Sequence, residues 1–233
     1  STESRAEEIY WILGAEYADS VGVDIINTSL GNTRFDEGEA DFTYADMDGN
    51  TTLISQASNR AASRGMLLVT SAGNEGNKPW YYISAPADAD SVLAVGAVNE
   101  FEEAAAFSSR GPSADGRIKP NVMAKGQAAI ITNLGAGIMA GNGTSFASPI
   151  MAGMAACLWQ AIPQATATQV FKAIEKSAHL FESPNDSMGY GIPDFEVARI
   201  ILTQVVGLES RNPIPPKNQL IFFPNPFNSQ QIN

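Results

Sequence analysis

Positive charge is scarce in this chain of 233 residues: 14 Lys and Arg stand against 25 Asp and Glu, a net charge of −11. No basic run could neutralise a phosphate backbone, so no nucleic-acid partner is expected. Cysteine is scarcer still. The lone Cys157 excludes an intramolecular disulfide and leaves the redox compartment undecided. Long apolar runs are missing too: Asp, Gln, Gly or Pro interrupts every stretch well before the roughly 18 residues a bilayer crossing needs, so no membrane span is expected. Ser1 to Arg5 carry neither the basic nor the apolar segment of a secretory signal, and any targeting peptide is expected to be absent from this chain. With only 17% charged and 44% apolar residues, a disordered acidic tail and a coiled coil are both excluded. The length suits one large domain, or one domain with an appendage. There is a single histidine, His179.

What is present reads as alternating helices and strands. Ile9, Ile12, Leu13, Tyr17 and Ala18 recur at a helical period between Glu7 and Ser20. Val23 to Thr28 is a short β-branched run stopping at Leu30-Gly31, as a buried parallel strand would. Asn32 to Asn50 is acidic and aperiodic, a long surface loop. A helix over Thr51 to Arg64 with Gly65 as its stop precedes strands at Met66 to Ser71 and Ser91 to Val98. A weaker strand is expected near Ala128 to Thr132, and a long helix from Thr144 or Ser145 to about Gln160, ended by Pro163. Two more helices follow at Thr166 to Ala178 and Pro193 to Thr203. This order predicts an α/β three-layer sandwich with a mostly parallel sheet. Residues 1–208 form the expected main folding unit. From Glu209 prolines and asparagines crowd the chain, predicting a linker over 209–233 with an incipient strand at Gln219 to Phe223.

Gly141-Asn142-Gly143-Thr144-Ser145-Phe146-Ala147-Ser148-Pro149 places a serine at a Gly-rich turn opening the long helix. Backbone N–H groups and the positive end of the helix dipole there suit a developing oxyanion. Taken alone, the same nonapeptide is also a plain helix cap. Ser71-Ala72-Gly73-Asn74-Glu75-Gly76 follows a strand directly, and Asn74 lies where a carboxamide could project from the carboxyl edge of the sheet, the usual ligand edge.

Four segments in order, Asp24 to Gly31, Val69 to Gly76, Phe107 to Pro112 and Gly143 to Pro149, resemble the subtilisin-like serine peptidases, the subtilases. The resemblance runs from about Glu7 to Ile200. It implies that Ser145 is the nucleophile and that its backbone N–H and the Asn74 side chain form an oxyanion hole. It implies further that Ser29, Leu30 and Gly31 pair with an extended polypeptide substrate, while Ser71, Ala72, Gly73 and Ser84 line the pocket for the residue before the scissile bond. Small residues along that pocket are expected to leave room for a large apolar side chain. No cofactor is implied for the chemistry, and no catalytic metal.

A serine hydroxyl needs a base, and the subtilase triad supplies an Asp and a His that both precede the serine. Neither is found in this chain; His179 falls 34 residues after Ser145 and reads as a surface or helix-terminal residue. The chain therefore resembles the C-terminal portion of a catalytic domain, lacking the N-terminal strands that carry the Asp and His, and an N-terminal companion segment is the expected partner. Without it the strand at Val23 to Thr28 would be a bare sheet edge. Asp46-Met47-Asp48-Gly49-Asn50 resembles the start of a calcium loop, but Ala57 stands where the closing Glu would be, so Asp46 and Asp48 are only a minor candidate for structural calcium. Phe222 to Phe227 resembles the opening of a bacterial C-terminal sorting domain, which implies a secreted or cell-surface protein. The alternative to a serine endopeptidase is a non-catalytic module that binds extended peptides without cutting them. An α/β-hydrolase is set aside because Ala147 replaces the second glycine of Gly-x-Ser-x-Gly.

Overall fold

The computed structural model describes residues 4–36, 38, 40–133, 135 and 137–211. Helix α1 (Ala6–Ser20) leads into strand β1 (Ile25–Thr28), and an irregular segment with one 3-10 turn at Tyr44–Asp46 precedes helix α2 (Leu53–Ser63). Strands β2 (Leu67–Ser71), β3 (Val92–Val98) and β4 (Val122–Lys125) follow, then a hairpin of β5 (Ala129–Thr132) and β6 (Ile138–Gly141). Helices α3 (Thr144–Ala161), α4 (Ala167–Lys176) and α5 (Phe195–Arg211) complete the described chain.

Four strands form one parallel sheet in the order β1-β2-β3-β4. Every residue of β2 and β3 is buried, as expected for strands rich in Leu and Val that are covered on both faces. One face carries Val69, Leu93, Val95 and Val122 against Ala147, Met151, Ala155 and Leu158 of α3, with α4 and α5 packed behind through Val170, Ile174, Ala198 and Leu202. The opposite face carries Leu68 and Val92 against Ala61 of α2 and Trp11 and Ala18 of α1. The chain is thus the three-layer α/β sandwich that its pattern predicts. Because the strands are parallel, β1 and β2 deliver Ser29 and Ala72 to the same edge of the sheet.

Three details differ from the sequence reading. The strand expected near Ala128 to Thr132 exists, but it pairs antiparallel with β6 outside the main sheet. The sheet's fourth member is instead Val122–Lys125, a run with Val122 as its one β-branched residue and so without a strand signal. In α1 the expected apolar stripe divides: Trp11, Ala15 and Ala18 turn inward, while Ile9, Leu13 and Tyr17 are exposed. Glu8 is fully buried in their place; its Oε1 accepts from Ile54 N at the start of α2 (3.2 Å), and its Oε2 meets Arg5 (3.3 Å). A carboxylate against first-turn N–H groups is a favourable burial for that charge. The readings made on the 212–233 stretch, including the strand at Gln219 to Phe223 and the motif at Phe222 to Phe227, lie outside the described residues; α5 itself continues to Arg211.

Candidate active site

Ser145 is the second residue of α3, behind the N-cap Gly143. First-turn N–H groups have no acceptor within their own helix. Here Thr144 N donates to Asn74 Oδ1 at 2.9 Å, the Thr144 hydroxyl donates to the same oxygen at 3.1 Å, and Gly73 N donates to Thr144 Oγ1 at 3.2 Å. A backbone N–H can only donate, so the Thr144 contact fixes the carboxamide oxygen on the helix and turns Asn74 Nδ2 the other way. Gly143 leaves room for that nitrogen. The point where a Cβ on Gly143 would stand is 3.7 Å from Asn74 Nδ2 and 3.7 Å from Ser145 N. Asn74 Nδ2 and Ser145 N thus converge on one point beside the serine, which the Phe146 ring also borders at 3.7 Å.

The end of β1 is latched to the same helix turn. Ser29 Oγ donates to Ser145 O at 3.1 Å, Ser145 Oγ reaches Ser29 O at 3.4 Å, Asn27 Nδ2 donates to Ser29 Oγ at 3.2 Å, and Ser148 Oγ donates to Asn27 Oδ1 at 2.7 Å. Pro149 explains why Ser145 O is available. Its ring nitrogen has no proton for the carbonyl four residues back, and Ser29 takes the vacant acceptor.

Ser29-Leu30-Gly31 and Ser71-Ala72-Gly73 form two facing walls next to this turn. Ser71 Oγ donates to Leu30 O across them at 3.4 Å, and Ser84 N donates to Ala72 O at 3.3 Å, closing the far side. The segment Phe107 to Pro112 braces the second wall from behind: Ser109 N bonds Gly73 O (3.0 Å), Ser109 Oγ accepts from Glu75 N (3.0 Å), and Gly76 N bonds Phe107 O (2.9 Å). Ser108 Oγ accepts from Ala97 N (3.0 Å), which pins the brace to β3. The structure thus brings Ser145, Asn74, Ser29, Leu30, Gly31, Ser71, Ala72, Gly73 and Ser84 to one edge of the sheet. Thr144, Asn27, Ser148 and Ser109 join them without having been singled out in the sequence. Only Asn27, two residues before Ser29 and thus on the same face of an exiting strand, offered a local signal.

The remaining candidates lie elsewhere. His179 is exposed beyond α4, and its Nδ1 accepts from Ile192 N at 2.9 Å, which holds the neighbouring turn together. Asp46 accepts from Thr43 N (2.7 Å) and Thr43 Oγ1 (2.8 Å). Asp48 accepts from Asn50 N (2.8 Å), Thr51 N (2.7 Å) and Thr51 Oγ1 (2.9 Å). Partial burial would raise the Asp48 carboxyl, but these bonds hold it below the usual carboxylate range. Both carboxylates cap local turns. Among the described residues no group of three His, Cys, Asp or Glu is placed to hold a metal ion.

Comparison with known proteins identifies the family and the fold. The family model described as the subtilase family, Peptidase_S8, matches residues 1–191. Subtilisin DY of Bacillus licheniformis is 34% identical over 181 residues, covering 77% of this chain and 57% of that protein. Subtilisin of Bacillus pumilus is 35% identical over 170 residues, covering 72% and 54%. The chain spans a little over half the length of these relatives. Among solved structures, the prenylagaramide maturation protease PagA superposes with a TM-score of 0.67 at 26% identity, covering 84% of this chain and 68% of that one. The patellamide maturation protease PatA gives 0.65 at 28% identity, covering 84% and 69%. A parallel sheet with a serine at the head of α3, an asparagine after β2 and a family match over most of the chain lead to one conclusion: this protein belongs to the subtilase family.

Proposed function

We propose that the chain supplies the nucleophile, the oxyanion site and the substrate channel of a serine endopeptidase. Ser145 Oγ attacks the scissile carbonyl, and Asn74 Nδ2 with Ser145 N–H donates to the oxygen as it gains charge. Ser29-Leu30-Gly31 pairs with the extended substrate, and Ser71-Ala72-Gly73 with Ser84 receives the residue before the scissile bond. The observation that carries this reading is the convergence of Asn74 Nδ2 and Ser145 N on one point beside Gly143, 3.7 Å from each.

The proton of Ser145 needs a base, and His179 is engaged with the turn at Ile192. We place the Asp and His on a companion segment N-terminal to these residues. Three features support its docking: the relatives are longer than this chain, β1 has a strand on only one side among the described residues, and apolar side chains stand exposed nearby. The last are Ile9, Leu13 and Tyr17 on α1 and Ile150 and Met154 on α3, a helix without a charged residue. In this reading the enzyme is an exported or cell-surface bacterial protein with no cofactor in its chemistry. The second reading, a peptide-binding module without turnover, is favoured by the engagement of the sole histidine away from Ser145. A fluorophosphonate probe read by intact mass separates the two. Labelling that needs the upstream segment and is lost in Ser145→Ala is the expected result; a folded, companion-bound protein that stays unlabelled would establish the binding module instead.

A further inference from the structure

Ser84 stands inside the channel, not merely beside it. A Cβ on Gly31 would collide with Ser84 Oγ, and a Cβ on Gly73 in the opposite wall would lie 2.9 Å from the same atom. One hydroxyl thus reaches both walls of the slot. Its backbone is fixed on either side, Ser84 N on Ala72 O (3.3 Å) and Ser84 O under Ala87 N (2.8 Å). The residue is 3% exposed, and its hydroxyl has no hydrogen-bond partner among the described residues. The neighbouring Ser109 hydroxyl, 2.7 Å from the Gly73 Cβ point, is already taken by Glu75 N. A large ring between these walls would have to displace Ser84 Oγ, whereas a short side chain would not.

We infer that Ser84 is the specificity-determining residue of the channel, selecting extended polypeptides with Ala, Ser or Thr before the scissile bond over those with Leu, Phe or Tyr. The Ser84 hydroxyl has no partner among the described residues and is not itself sealed from the channel, so a hydroxyl on the substrate can bond to it and Ser is favoured over Ala. Volume excludes the larger residues. This deepens the proposed function and rests on its assignment of Ser71-Ala72-Gly73 and Ser84 to the pocket.

The test does not depend on turnover. The Ser145→Ala protein, together with its companion segment, is titrated with tetrapeptides that differ only in a C-terminal Ala, Ser, Leu or Phe, and binding is followed by fluorescence anisotropy. Ala and Ser are expected to bind about tenfold or more tighter than Phe, the scale on which pocket fit discriminates side chains. Ser84→Gly should reverse that order, and Ser84→Cys, which keeps an atom in the slot but hydrogen-bonds weakly, should keep Ala ahead of Phe while losing the advantage of Ser. If circular dichroism shows that Ser84→Gly does not fold, Ser84→Ala removes the same atom and reads the same reversal. Phe binding tightest to the protein with Ser84 intact, an order unchanged by opening the slot, or no binding at millimolar peptide would each overturn the inference. Failure of the peptidase reading shows separately, as an absence of fluorophosphonate labelling in the protein with Ser145 intact.

Discussion

At the scale of the residue, the site depends on a side chain whose neighbours in sequence say nothing about it. Thr144 is fully buried, donates to Asn74 Oδ1 and accepts from Gly73 N, and so joins α3 to the segment after β2 across about seventy residues. Its hydroxyl is a second donor, beside its own N–H, that holds the Asn74 amide oxygen on the helix. Thr144→Val keeps the shape but takes the acceptor from the half-buried Gly73 N–H, at a cost of about 1 kcal/mol. Urea unfolding should show that loss. Steady-state kinetics on the companion-bound enzyme should show a fall in kcat of about tenfold or more with KM little changed, because the amide is needed most as charge develops. Thr144→Ser should restore both. The positions of Ser145 and Asn74 were legible because a serine at a Gly-rich helix start and a carboxamide after a strand are local patterns. The shape of the space at Ser84 has no such pattern, because it depends on how closely two walls of separate origin approach the hydroxyl.

At the scale of the element, local rules account for most boundaries. Thr166 opens α4 with a reciprocal cap: its Oγ1 accepts from Gln169 N (3.3 Å), while Gln169 Oε1 accepts from Thr166 N (2.7 Å). Thr166→Ala should cost about 1 kcal/mol, seen as a lower urea midpoint at unchanged slope, and activity should be unaltered because α4 lies behind α3, away from the substrate edge. Pro149 shows the opposite case, a residue that weakens its own helix by one hydrogen bond and thereby lets Ser29 hold Ser145 O. Periodicity failed where burial is decided from outside the element. The stripe on α1 divides because the sheet accepts only its smaller residues and Trp11. Strand β4 was invisible because Val122 is the one β-branched residue in its Val-Met-Ala-Lys run, whereas the equally short β1 and β5 are mostly Ile and Thr.

At the scale of the whole molecule, a buried ionic cluster ties three elements together. Lys119, 2% exposed, donates from Nζ to Ala89 O (2.8 Å), Val92 O (3.0 Å) and Asn121 Oδ1 (3.0 Å); Asn121 Nδ2 in turn donates to Glu175 Oε1 on α4 (2.8 Å), whose Oε2 meets Lys172 (2.7 Å). Burial, helped by the charge of Arg117 and opposed by Asp88, Glu175 and Asp90, lowers the Lys119 ammonium to about 7. Burial likewise raises the Asp88 carboxyl, against its bonds from Ser55 and Gly49 and the charge of Lys119. The unfolded chain keeps the Lys119 proton up to the ordinary amine range near 10.5. Between these values the unfolded state holds more protons, so this group's contribution to stability rises with pH; below 7 both states are charged and the contribution stays at its minimum. Urea unfolding of the protein and of Lys119→Met at pH 7 and pH 9 should therefore differ, the protein with Lys119 gaining about 2–3 kcal/mol on the variant as pH rises. An unchanged difference would mean that the three acceptors hold the ammonium charged throughout.

By itself the sequence determined the class of the fold, the order of most of its elements and the segments that carry Ser145 and Asn74. Alternation of helical and β-branched runs, glycines at turns and a serine before an uncharged helix are properties of neighbours along the chain, and neighbours along the chain can be read. Only the tertiary structure decided which strand completes the sheet, which face of α1 is covered, what orients Asn74 and how narrow the slot at Ser84 becomes. Each of those depends on groups brought together from distant positions, where a hydrogen bond or a collision is a matter of ångströms that no local pattern records.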